Sequence, residues 1–323
     1  MCTSVDLSII IVNWNVRDLL RACLNSILDQ ARLLSAHEWA LLDAPYTLEI
    51  LVVDSASSDD SVAMVEREFP NVRLWASTTN LGYAGGNNLG IRHSRGRYLL
   101  LLNPDTAIHR DALRAMLDYM DAHPDVGVLG PRLYYPDGTT QSSRRRFPTL
   151  GTALIESTFL EQWFPRHPAI RRYRLLDRPD DEMCQVDWVV GACLAVRAEV
   201  VKQVGLLDEA YFMYSEELDW QKRIRRAGWR VVYLPQAQVT HYEGKSSEQV
   251  TAFRELRFQK SKVLYFKKHH GWVSGELLRY WLLFHYVYKW SSEAIKWLVG
   301  HKRPLRQQRM AVYVHVLQSR LRV

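Results

Sequence analysis

Apolar residues in this chain keep two rhythms. Leu7–Val12, Leu48–Val53 and Tyr98–Leu102 are short, nearly unbroken apolar runs. The last holds four consecutive leucines, which cannot alternate between core and water. It predicts a strand buried on both faces at the centre of a parallel sheet. Between these runs, Arg17–Gln30 repeats apolar residues at helical spacing (Leu19, Leu20, Cys23, Leu24, Ile27). Further helices are expected from a cap at Ser58 or Asp59 to Phe69, from the Asn80–Asn88 cluster to about His93, and from Asp111 to Ala122. Short strands are expected around Val72–Trp75 and over Val126–Leu129. Residues 31–47 show neither rhythm and read as an irregular insertion. Strands alternating with helices over roughly the first 130 residues predict a doubly wound parallel α/β sheet.

From Tyr134 the rhythm breaks. Arg144-Arg145-Arg146-Phe147-Pro148 reads as a basic loop, and residues 151–183 as a helix followed by a polar segment. Val186–Val196 predicts two short strands, Ser215–Trp220 opens a helix closed by Gly228, and Val231–Leu234 and Val239–Tyr242 are extended. Beyond Ser247 the chain reads as helical. Its most apolar part, Trp281–Tyr288, lies between Arg279 and Lys289 and falls short of the roughly 20 apolar residues of a membrane span. It fits a basic, aromatic helix lying on a membrane surface, or one packed on the rest of the protein or on a dimer partner.

Composition narrows the choice. A chain of 323 residues with 47% hydrophobic content can bury a large core. A net charge of +7 and a pI near 9.2 suggest an anionic partner: phosphates, a membrane surface or nucleic acid. No helix-turn-helix, zinc or RNA-binding signature supports nucleic acid. Cys2, Cys23, Cys184 and Cys193 form no CxxC pair and no metal spacing, so reduced cytosolic thiols are expected. The amino terminus lacks a basic region before its apolar run, which Asp6 interrupts; it reads as a first strand, not a signal peptide.

Four successive strand ends carry polar clusters: Asn13/Asn15, Asp54/Ser57/Asp59, Asn80/Gly82/Asn87 and Asn103/Asp105. Each alone is ordinary turn chemistry. Carboxyl ends of parallel strands share one edge, where open α/β sheets bind ligands, so four clusters there favour a nucleotide site. The glycines 82, 85, 86 and 90 match neither GxGxxG nor a P-loop, which argues against a dinucleotide oxidoreductase and an NTPase. Asp54 could accept from a ribose hydroxyl or a base N–H, or cap a helix.

Together the stretches Ser8–Asn15, Val53–Asp59, Asn80–Asn87 and Leu102–Asp105 resemble the family 2 glycosyltransferases of GT-A fold, closest to their bacterial rhamnosyltransferase-like branch. The resemblance continues through Gly191-Ala192, Glu216-Glu217-Leu218-Asp219 and His241, covering roughly residues 5–270. It implies a Rossmann-like nucleotide-diphospho-sugar transferase fold. Residues 1–245 would be the catalytic domain, with a nucleotide half (1–130) and an acceptor half (131–245). Residues 246–323 would follow as a helical extension that lies on a membrane or packs on a partner. By the same resemblance Asn13, Asn15, Asp54, Ser57, Asn80, Gly82, Asn87 and Asn103 would hold the nucleotide sugar. Asp105, at the family's DxD position, would bind Mn²⁺ or Mg²⁺ on the diphosphate with His241. Asn103 departs from that acidic pattern. Oxygen ligands suit a hard cation, and an imidazole beside carboxylate shifts the preference toward Mn²⁺.

Where the family carries Glu-Asp-x-Asp, this chain has Glu216-Glu217-Leu218-Asp219. An inverting transfer needs a carboxylate to take the acceptor's hydroxyl proton, and Glu217 occupies the base position, with Asp219 the rival and Glu216 third. The plain alternative is that acids in a first helical turn complement the helix dipole. Arg144, Arg145 and Arg146 either clamp a donor or lipid-diphosphate phosphate or form a solvated loop. Trp188 either stacks on an acceptor sugar or packs in the core.

The expected activity is metal-dependent, inverting transfer of a sugar to a glycan or lipid-linked acceptor in cell-surface polysaccharide synthesis. Rhamnose from dTDP-rhamnose is the leading donor by resemblance. The enzyme would be cytoplasmic, peripheral on the inner face of the plasma membrane, with its oligomeric state open. Two rivals stand beside it. A non-catalytic nucleotide-sugar-binding or scaffolding protein should have lost its base carboxylates, and three remain. A sugar nucleotidyltransferase should carry a lysine-bearing glycine loop near the first strand, where this chain has Asn13-Trp14-Asn15.

Overall fold

The computed structural model describes residues 5–242, 251–300 and 302–323. They form two compact units, one of Met1–Arg146, Arg178–Ala210 and Glu217–Ser246, the other of Phe147–Asp177, Tyr211–Glu216 and Ser247–Val323. The second unit therefore takes two segments out of the 131–245 range. Cys2 and the boundary expected at 245/246 lie outside the described residues.

In chain order the elements begin β1 (Leu7–Asn13), α1 (Arg17–Leu28), β2 (Ala31–Ser35), β3 (Glu38–Leu41), β4 (Thr47–Ser55), α2 (Ser61–Glu68), β5 (Arg73–Ser77) and α3 (Gly82–His93). They continue β6 (Tyr98–Leu102), β7 (Thr106–Ile108), α4 (Ala112–Ala122), β8 (Val126–Tyr134), β9 (Thr140–Gln141) and β10 (Arg144–Arg145). Three short helices follow, α5 (Leu150–Ile155), α6 (Phe159–Trp163) and α7 (Pro168–Tyr173). The chain then forms β11 (Cys184–Val186), β12 (Trp188–Val189), β13 (Cys193–Arg197), α8 (Ala198–Val204), α9 (Glu216–Arg226) and β14 (Arg230–His241). It ends in α10 (Thr251–His270), α11 (Trp272–Leu298) and α12 (Arg303–Ser319).

The main sheet of the first unit runs β11-β14-β8-β13-β6-β1-β4-β3-β2, with β5 on β4, β7 on β14 and β9 on β8. Its centre is parallel: β1 pairs with both β4 and β6, and β4 with β5. The leucines of β6 are fully buried, as a run without alternation requires. Registers Asn13↔Asp54 and Ile11↔Leu102 bring the carboxyl ends of β1, β4 and β6 to one rim. Near the opposite end Glu49 is buried, and Ser8 Oγ, Arg73 and Arg95 all reach its carboxylate within 3.0 Å. A buried carboxylate is stable only with such partners.

Two expectations are corrected. Residues 31–47 are not irregular: β2 and β3 form a hairpin on the sheet edge. Its apolar signal is scrambled because Leu33 and Leu34 stay exposed while Trp39 and Leu41 go into the core. The sheet is also not wholly parallel, since β13 runs antiparallel between β6 and β8. That insertion pairs residues as far apart in sequence as Ala195 with Leu129 and Arg197 with Tyr98, and no local periodicity can reveal such a pairing.

In the second unit α10, α11 and α12 pack in sequence, with Leu278, Leu282 and Tyr286 on the buried side of α11. Gly271, at φ +88°, lets the chain turn between α10 and α11. Among the described residues no helix is long and apolar enough to cross a membrane.

Candidate active site

The first part of the site is a zipper between the loops after β1 and β4. Asn13 Nδ2 donates to Asp54 Oδ2 at 2.9 Å and to Ser57 Oγ at 3.1 Å. Ser57 N donates to the other Asp54 oxygen at 2.8 Å. Asn15 N donates to Ser57 Oγ, and Asn15 Oδ1 accepts from Ser58 N. Asp59 accepts from the backbone N–H groups of Arg17 and Ser61, tying the starts of α1 and α2 together. Both Asn13 and Asp54 are buried, and Asn13 Oδ1 has no hydrogen-bond partner. A buried acceptor left unmade is costly and marks a place for an incoming N–H. An open cleft of about 410 Å³ lies at the start of α1, lined by residues 15–19 with Asp59 and Asp60.

The glycine-rich stretch forms a helix, not a loop. Asn80 Oδ1 accepts from Gly82 N at 2.9 Å, starting α3. Asn87 is buried and donates to Tyr83 O one turn back. Gly86 and Gly90 face β1: a Cβ on Gly86 would stand 2.6 Å from Val12 Cγ1, and one on Gly90 would run into Ile10 Cγ2. These glycines let the helix lie close on the sheet. Neighbouring Asn88, absent from the sequence candidates, exchanges hydrogen bonds with the backbone of Leu207 and donates to Glu209.

Past β6, Asn103 N donates to Ala192 O at 2.9 Å, joining this loop to the residues before β13. The β7–β14 ladder pairs Thr106 with His241, which brings Asp105 against the histidine. His241 Nε2 lies 3.3 Å from Asp105 Oδ1 and 3.5 Å from Asn103 Nδ2. Its Nδ1 lies 2.9 Å from Oε1 of Gln141, a buried residue of β9. An amide oxygen only accepts, so Nδ1 donates to Gln141 and Nε2 is the nitrogen that faces the carboxylate. A carboxylate beside an imidazole is a donor set that suits a divalent metal. Among the described residues no cluster of three or more His, Cys, Asp or Glu side chains forms. Gln141 escaped the sequence reading because a glutamine between two turn residues carries no signal of its own. Cys23 packs under the same loop, and burial pushes its thiol up to about 12, so it is inert.

The acids of α9 stand next to this loop. Tyr83 Oη donates to Gly191 O at 2.7 Å, and a Cβ on Gly191 would lie 2.9 Å from Tyr83 Oη and 3.5 Å from Glu217 Cβ. Gln221 pins the helix by exchanging hydrogen bonds with the backbone of Val189. Glu217 is half-buried beside Gly191, whereas Asp219 is fully buried and ion-paired with Arg223 at 2.9 Å. Arg223 also donates to the carbonyls of Val204 and Leu206, so Asp219 belongs to a packing network. Glu216 is buried at the start of the helix.

The basic run does not join the rim as a set of free cations. Arg144 is buried: it pairs with Asp180 at 2.8 Å, donates to Arg178 O and lies over the Tyr233 ring. Arg145 donates to Ser142 Oγ and to the Arg144 carbonyl. Trp188 is buried with its indole N–H on the Arg146 carbonyl, which is the packing role and not that of a stacking platform.

The chain is similar to known proteins in sequence and in fold. The family model "Glycosyl transferase family 2" matches residues 8–202. An N-acetylglucosaminyl-diphospho-decaprenol L-rhamnosyltransferase of Mycobacterium tuberculosis is 32% identical over 242 residues, which cover 71% of this chain and 78% of the relative. Two solved structures share the fold. A mannosyltransferase from Pyrobaculum calidifontis, in complex with GDP-Man and Mn²⁺, superposes with a TM-score of 0.53 at 16% identity over 99% of this chain and 88% of its own. GalNAc-T7 with UDP, GalNAc and Mn²⁺ gives 0.56 at 13% identity over 83% of this chain, which spans about half that protein, 48%.

Proposed function

This chain belongs to glycosyl transferase family 2, in its rhamnosyltransferase-like branch, and on that premise we propose that it transfers rhamnose from dTDP-rhamnose, with inversion, to a lipid-linked glycan. The observation that carries this reading is the facing pair Asp105 and His241 on the same rim as Asp54, with Glu217 beside Gly191, whose neighbour Ala192 accepts from Asn103 N. The named relative's rhamnosyl transfer to a decaprenol-linked sugar supports the choice of donor and acceptor.

In this reading the β1–β4 zipper takes the nucleoside. Asp54 faces the base and, with one hydrogen bond on each oxygen, keeps lone pairs for a base N–H, while Asn13 Oδ1 is a second buried acceptor beside it. Asn15, Ser57, Asn80, Gly82 and Asn87 shape the walls around it, and Asn103 borders the diphosphate. Asp105 and His241 would hold a divalent cation, which when bound neutralises charge on the departing diphosphate. Glu217 takes the proton from the acceptor hydroxyl. The freed oxygen attacks the anomeric carbon from the face opposite the diphosphate, the C–O bond to phosphate breaks, and the nucleoside diphosphate leaves. Asp219, held by Arg223, keeps α9 in place. A lipid-linked acceptor puts this chemistry at the cytoplasmic face of a bilayer.

The test is a panel of nucleotide sugars with purified protein, Mn²⁺ or Mg²⁺ and a polyprenyl-diphosphate-linked sugar. Nucleoside diphosphate release is scored, and product anomers are read by NMR. Release from dTDP-rhamnose alone, with inverted configuration, is expected. Preferential use of a different donor overturns the assignment of sugar, and a retained anomer overturns the mechanism.

A further inference from the structure

We propose that the outward face of α11, continued by α6, docks on an anionic phospholipid bilayer. This deepens the preceding reading by naming the surface that meets the acceptor's membrane. Val273, Leu277, Tyr280, Phe284 and Val287 follow one another at spacings of four and three residues, so they lie along one side of the helix. All five are exposed, Leu277 and Phe284 at 57% and Tyr280 at 62%, while Leu278, Leu282 and Tyr286 fill the opposite, buried side. The bare stripe is thus additional to the side that packs. Helix α6 extends it: Phe159 packs on Phe284, Trp163 packs edge-on to Tyr288, and Trp163 and Phe164 remain exposed. Contiguous apolar surface of this kind marks a contact with something else.

Charge identifies the partner. Residues 251–323 hold fifteen Lys and Arg against three Asp and Glu, a balance of +12, whereas the whole chain totals +7. The first 250 residues are therefore net acidic, and the basic character of the protein resides wholly in these helices. Exposed Lys296, Lys302 and Arg303 surround an apolar tip of Ile295, Leu298 and Val299 at the α11–α12 turn. Two copies facing each other through such a segment would repel, while an anionic leaflet attracts it at about 1 kcal/mol per Lys or Arg near the surface. Aromatic side chains favour the headgroup level, and helices too polar to span lie in the plane of the interface.

The test uses the full chain, without donor or acceptor, in flotation with vesicles of phosphatidylglycerol and phosphatidylcholine or of phosphatidylcholine alone. Binding to the anionic vesicles and its loss at high salt are expected. The double variant Leu277→Glu/Val287→Glu and, separately, Lys302→Glu/Arg303→Glu should each weaken it about tenfold or more. Unfolding temperature and transfer to a water-soluble, short-tailed acceptor should stay at wild-type levels. Equal binding by wild type and both variants overturns the proposal, as does binding indifferent to lipid charge. So does a dimer in size-exclusion chromatography that the same substitutions dissociate. Because vesicle binding needs no sugar, an error in the donor assignment leaves this result untouched.

Discussion

Gln141 Oε1 sits 2.9 Å from His241 Nδ1, and that contact decides which nitrogen of the imidazole faces Asp105. Gln141→Leu removes the orienting acceptor. Mn²⁺ affinity in the presence of nucleoside diphosphate should fall about 10–100-fold, the range for losing a partner behind a metal ligand. Gln141→Glu keeps an acceptor oxygen and should restore binding. Electron paramagnetic resonance of free Mn²⁺ reads both without turnover, and unchanged affinity in the leucine variant would falsify the assignment.

Glu217 and Asp219 should separate in their effects. Glu217→Gln removes the proposed base and should slow transfer by about 10²–10⁴-fold while donor affinity and unfolding temperature hold. Asp219→Ala strips a buried partner from Arg223 and should cost about 1–3 kcal/mol in stability. Steady-state kinetics alongside urea denaturation distinguishes them. A stable Asp219→Ala protein with no activity would make Asp219 the base.

Gly86 tests how closely α3 must approach the sheet. Alanine gains about 1 kcal/mol in helix propensity over glycine, yet overpacking costs about 1–3 kcal/mol. With Val12 Cγ1 at 2.6 Å from the new Cβ, the clash should win and Gly86→Ala should be destabilised. Trimming the neighbour in Gly86→Ala/Val12→Ala should recover part of the loss. Thermal melts of the single and double variants give the coupling.

His285 links the second unit to pH. It is fully buried, its Nδ1 accepts from Phe159 N at 3.2 Å, and its Nε2 has no partner. Burial first, then Lys289 and Lys262, lowers its pKa to about 3 from the ordinary 6.5. Between those values the unfolded chain binds the extra proton. Stability is therefore full above about pH 6.5 and falls toward pH 3, by up to about 1.4 kcal/mol per pH unit. His285→Gln keeps an acceptor but cannot titrate. Urea melts from pH 7 to pH 4 should show a flatter decline in that variant, and parallel curves would refute the assignment.

The parallel centre of the sheet was legible because burial on both faces removes alternation, as in Tyr98–Leu102. The rim followed from it, since Asn13, Asp54 and Asn103 end neighbouring strands. Residues joined only through distant pairing were not legible. The antiparallel β13 and the partner Gln141 depend on register set elsewhere in the chain. The glycines of α3 fit no phosphate-loop spacing, and the helix through them was expected, but nothing in the sequence explained their number. Their actual duty, admitting Val12 and Ile10, is visible only from across the interface. Likewise an arginine run looks the same in sequence whether its members face solvent or, as Arg144 does, turn inward to an aspartate.

Residues 147–177 belong to the second unit, and Arg144 donates to the Arg178 carbonyl at 2.7 Å, so the chain leaves the first unit after Arg146 and re-enters it close by at Arg178. The excursion between them starts and finishes at adjoining anchor points. Its length and makeup can therefore change without opening the ladder that carries the rim. Chimaeras spliced at Arg146 and Arg178 would accordingly keep Gln141, Gly191 and Ala192 with the rim, which a splice at Tyr134 and Cys193 would remove.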